Sequence, residues 1–198
     1  MAFSVLTHPR NIRPQSFGRD RTGWLPWLIA PAGRSPDVSA AGSARNTGLL
    51  QILAHDPASR AALIRIGDDI FHGPARGLPR GERALAATAA ARRTGCFTAT
   101  AAHARQAVQH LRREREIGVL LEDGLPSPLG GRLGAVIAAA SALTGTPSRL
   151  TRREIWALDE EKLDDQEILD VMLAAAFAVW ESGLNLSLGE PAPPAGAP

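Results

Sequence analysis

The 198-residue sequence has one cysteine, two methionines, no tyrosine and only 5% aromatic residues. A single cysteine excludes an internal disulfide framework and a cysteine-rich metal site. With a hydrophobic share of 44%, the shortage of aromatics leaves a core built from alanine and aliphatic side chains. Alanine has the highest helix propensity and a poor strand preference, so an all-α domain is expected. An excess of charge of one sign is also lacking: 22 basic residues face 20 acidic ones, for a net charge of +2. The bases are nearly all arginine and are spread along the chain. Their densest run, Arg112-Arg113-Glu114-Arg115-Glu116, mixes signs as a solvated helix face does, so no nucleic-acid partner is expected. Met1 to Arg10 lacks the apolar run of a signal peptide. No stretch reads as the roughly 18 apolar residues needed to span a bilayer. A soluble, cytoplasmic protein without membrane contact is expected.

Proline, glycine and arginine dominate residues 1–40 without a helical period, which marks an irregular N-terminal arm. Within it, Gly23-Trp24-Leu25-Pro26-Trp27-Leu28 is an apolar plug suited to packing on the domain or on a neighbouring subunit. Residues 41–191 carry the helical pattern, and 192–198 form a low-complexity tail expected to be disordered. Asp56 before Pro57 is a good helix start, and Gly73-Pro74-Ala75-Arg76-Gly77-Leu78-Pro79 is a break. An alanine-rich helix over Arg80 to Arg93 follows. Thr94-Gly95 interrupts the chain before a second helix that starts at Cys96. Thr151-Arg152-Arg153-Glu154 is a capping box, and Asp164-Asp165-Gln166-Glu167 caps a last long helix reaching about Leu188.

Cys96 and His103 are the candidate site residues. A thiol and a histidine seven residues apart share one helix face, since about 3.6 residues make a turn. Placed in the first turn, Cys96 would sit at the positive end of the helix dipole, where a thiolate is favoured. The competing readings are plainer. A lone cysteine often serves as a small buried hydrophobe, and a helix histidine is often satisfied by a carbonyl or a neighbouring acid. His8, His55, His72 and His110 show no metal-ligand spacing, so no metal or other cofactor is expected.

The lead-in Leu78-Pro79-Arg80-Gly81-Glu82-Arg83, the Cys96–His103 helix and the run Asp164 to Pro191 together resemble the alkylhydroperoxidase D-like, carboxymuconolactone decarboxylase superfamily. Trp24-Leu25-Pro26-Trp27-Leu28 and Asp68-Asp69-Ile70-Phe71 resemble its peroxidase-related branch. The resemblance implies an all-helical fold, a homo-oligomer, and reduction of a small hydroperoxide with an external thiol reductant. It also implies a Cys-x-x-Cys pair whose second cysteine attacks the peroxide, with a glutamate and a histidine relaying protons. In this chain Cys96 matches the resolving cysteine and His103 the histidine. Ala99 stands where the attacking cysteine would be, and Ala84 where the glutamate would be. Glu82 lies two positions away, about 200° around a helix, and would point elsewhere. On the closing helix, Leu173, Val179 and Ser182 replace polar residues common in relatives. The dithiol cycle is therefore expected to be weak or lost. Two readings follow: a peroxide reductase limited to Cys96 and His103, or a non-catalytic scaffold or binding protein on the same fold. Decarboxylase chemistry would need polar groups for enolate stabilisation, and the sequence offers no clear set.

Overall fold

The computed structural model describes residues 47–73, 77–124, 127 and 129–188. The N-terminal arm, its tryptophan plug and the C-terminal tail lie outside the described residues. Within them the chain is helical and forms no strand, as an alanine-rich, aromatic-poor sequence dictates. The helices are α1 (Thr47–Ile52), continued by a 3-10 turn over Leu53–His55, then α2 (Pro57–His72), α3 (Arg80–Thr94) and α4 (Phe97–Leu111). They are followed by α5 (Glu114–Asp123), α6 (Gly131–Leu143), α7 (Arg152–Glu160) and α8 (Asp165–Leu188).

Local chemistry sets the boundaries. The Asp56 side chain accepts from the Ser59 N–H at 3.2 Å, and Pro57 occupies the first helical position of α2, where its missing N–H costs nothing. Thr151 and Glu154 form a reciprocal capping box at the start of α7. Between α3 and α4, Gly95 adopts φ +80°, the left-handed conformation that favours glycine. Its N–H and that of Cys96 reach back to carbonyls of Arg92 and Ala91, closing the C-terminus of α3.

Helix α3 is the centre of the domain. Every residue from Gly81 to Arg92 is buried, with α4, α6 and α8 packed around it. A helix buried on all sides needs no amphipathic stripe, and small alanine side chains let its neighbours come close. Gly81 shows how close. A Cβ there would lie 2.8 Å from the Leu111 side chain on α4, so that crossing requires glycine.

One buried and one partly buried polar tie hold the N-terminal half of α8. Asp170 Oδ2 accepts from Arg83 Nη2 and from the Leu78 backbone N–H, both at 2.9 Å. Gly77, at φ +82°, lies so close that a Cβ would sit 2.3 Å from the same oxygen. Arg132 on α6 bridges Glu82 of α3 and Glu167 of α8. By length and hydropathy alone α8 would qualify as a membrane span, which the reading of uninterrupted apolar runs missed. Here it packs against the domain, and its buried face holds Asp170, Glu181, Ser182 and Asn185.

Candidate functional site

Cys96 lies just before α4 rather than in its first turn, which corrects the expected helix start at that residue. It is the N-cap, fully buried, and its Sγ accepts from the Ala99 N–H at 3.4 Å. Sulfur is a weak acceptor, yet it fills the role a serine oxygen usually takes. Around it lie Ala99 at zero exposure and Thr100, whose hydroxyl donates to the Cys96 carbonyl at 2.6 Å. Thr100 therefore serves its own helix turn.

His103 sits almost two turns further along α4, in a different environment. Its Nε2 lies 2.9 Å from Oε2 of Glu181 on α8, and both side chains are more than nine-tenths buried. The imidazole also packs on Phe71 of α2, with ring centroids 5.1 Å apart, and Phe71 meets Phe177 of α8 edge-on at 5.6 Å. His103 Nδ1 is buried without a partner. A proton on Nε2 donated to a Glu181 carboxylate leaves only a bare lone pair at Nδ1. The opposite tautomer would strand a buried N–H, which is the costlier arrangement.

His103 and Glu181 line a half-open cavity of about 50 Å³ between α1, α2, α4 and α8. Since one water needs on the order of 10–15 Å³, the enclosed space takes a few waters, or part of a compact organic molecule that extends out through the open side. Leu49, Leu50, Leu63, Ile64, Phe71 and Phe177 supply apolar wall, while His72, Gln106, His103 and Glu181 supply polar groups. Gly67 also lines it, and a Cβ there would touch Phe177 at 3.4 Å. Cys96 is absent from this lining and belongs to the central core cluster instead. Although the two predicted site residues flank one helix, the cavity reaches only His103.

Glu82 is engaged by Arg132 at 2.9 Å and does not line the cavity. Its burial raises the carboxyl above the usual range, against the opposing pull of Arg132. The picture of a closing helix stripped of polarity needs correction. Leu173 lies on the exposed face of α8, outside the cavity, so its apolarity changes nothing there. Glu181, which sequence reasoning passed over, supplies a buried carboxylate instead. The signal was present: Ala174, Ala178, Glu181 and Asn185 follow helical spacing on the buried face, and two of the four are polar. Among the described residues no cluster of three metal-ligating side chains occurs.

The helical domain wound around one alanine-rich helix has an alkylhydroperoxidase D-like fold. A peroxidase-related protein from Ralstonia eutropha JMP134, described as an alkylhydroperoxidase AhpD core, superposes with a TM-score of 0.67 at 19% identity, over 79% of this chain and 81% of its own. A peroxidase-related protein from Silicibacter sp. TM1040 gives 0.64 at 18%, over 71% and 73%. The debrominase Bmp8 gives 0.62 at 14%, over 74% and 80%. A cysteine-to-alanine variant of Bmp8 in complex with 2,3,4-tribromopyrrole gives 0.65 at 15%, over 81% and 89%. No family model matches the sequence, and no curated protein matches it either.

Proposed function

We propose that this chain uses the alkylhydroperoxidase D-like fold to bind a small, largely apolar molecule, and that thiol-dependent peroxide reduction is weak or lost. The observation that carries this reading is the separation of thiol and cavity. Cys96 is fully buried and caps α4, whereas the cavity opens onto His103 and Glu181. A peroxide thiol must be ionised and reachable, and it must be regenerated through an accessible sulfenic acid. Ala99, at the position of the attacking cysteine, is inert and equally buried. That a debrominase variant of the same fold holds a small halogenated pyrrole supports a compact apolar ligand here.

The alternative is a single-thiol peroxide reductase with His103 as base. Its support is the position of Cys96 at a helix N-terminus and the peroxidase-related neighbours. Turnover of cumene hydroperoxide with dithiothreitol separates the two. The binding reading expects turnover close to the background rate, unchanged in Cys96→Ser. Rapid turnover abolished by Cys96→Ser would establish the alternative. We also infer self-association, supported by Leu169, Leu173 and Trp180, which leave an apolar stripe exposed along α8. Light scattering coupled to gel filtration reads it, and a monomer at all concentrations would remove it.

A further inference from the structure

We infer that Glu181 is the specificity-determining residue of the cavity, selecting compact apolar ligands that carry one hydrogen-bond donor, an O–H or an N–H. This rests on the binding reading above. Glu181 has two carboxylate oxygens, and His103 Nε2 engages only Oε2. No hydrogen bond among the described residues reaches Oε1, and Oε1 is not among the buried polar atoms sealed off without a partner. Glu181 lines the cavity, so this oxygen is the acceptor offered to an occupant. His103 Nδ1, by contrast, is sealed and cannot serve. The imidazole therefore acts behind the carboxylate: it holds the plane of Glu181 through Oε2 and leaves Oε1 for the ligand. Phe71 and Phe177 complete the apolar wall around this oxygen, and Gln106 and His72 are the other polar groups of the lining. A site that presents a buried acceptor rejects the isostere lacking the donor, because the acceptor is then left desolvated and unpaired.

Phenol and toluene are nearly the same shape and differ by the donor, so they are the probes. Affinities are measured by ligand-observed NMR on the full chain, for wild type, Glu181→Met and Glu181→Gln. Glu181→Met should weaken phenol about tenfold or more while leaving toluene unchanged or tighter. Glu181→Gln keeps a neutral acceptor and should weaken phenol several-fold, because bonds to charged groups are the stronger ones. The wild-type protein gives a readout independent of variant folding: the Glu181 carboxyl-carbon signal should shift with phenol and stay put with toluene. If both probes weaken alike in a folded variant, or the Glu181 signal ignores phenol, the assignment is overturned while the cavity remains a binding site. If neither probe binds wild type up to its solubility limit, the binding reading falls, and this inference with it.

Discussion

Replacing Cys96 by alanine separates a structural thiol from a chemical one. The substitution removes the acceptor of the Ala99 N–H and a fully buried sulfur atom. Loss of a good N-cap costs about 1 kcal/mol, and a sulfur acceptor at 3.4 Å falls toward the lower end of that range. Removing a buried atom of methylene size or larger adds about 0.8 kcal/mol, with a further term for the void. The sum is about 1–2 kcal/mol, which lowers Tm by roughly 2–8 °C for a domain of this size. Cys96→Ser keeps an acceptor at the cap but buries a hydroxyl. These effects oppose each other, and the net change should stay within about 1 kcal/mol. Denaturant unfolding followed by circular dichroism measures both. A Cys96→Ala protein as stable as wild type would refute the capping account. Joined to a collapse in peroxide turnover, it would show that the thiol is kept for its reactivity.

Two further perturbations test the frame around the site. Asp170→Asn leaves the Arg83 guanidinium without its buried counter-charge, so about 3 kcal/mol or more of stability should be lost in chemical denaturation; a loss below about 1 kcal/mol would mean the pair is dispensable. Glu82 has its folded pKa raised by burial above the ordinary 4.5. Its contribution to stability is thus complete below that value and is lost as pH rises through the higher folded one. Glu82→Gln removes this dependence, so the stability of the variant relative to wild type should improve steadily as pH rises through that window, and a flat difference would contradict the assigned shift.

The fold was legible because its signals are local. The Asp56-Pro57 start and the Thr151–Glu154 box are set by contacts within one turn, and both are present as the sequence implies. The alanine-rich composition around Leu85 pointed to a helix for the same reason, whereas its burial on all sides is set by packing against later helices. The site was less legible because its defining contact spans 78 residues of sequence. Spacing alone put Cys96 and His103 on one helix face. It could not tell that the N-cap faces the core while His103, almost two turns on, faces α2 and α8. The resemblance to a cysteine motif singles out Ala84 and Ala99, where that motif would place a glutamate and a cysteine, and Glu181 belongs to no part of it.

The long-range polar contacts of α8 bear on the order in which the molecule is assembled. Helices α3 and α4 are joined by the short Gly95-Cys96 turn and pack on each other, so their pairing closes only a small loop. Glu181 and Asp170 bind partners 78 and 87 residues earlier in the chain. During synthesis His103 and Arg83 therefore leave the ribosome long before the carboxylates that pair with them. The ligand-facing oxygen of Glu181 comes into place only when α8 docks, which makes an occupied cavity a marker that the domain has finished folding.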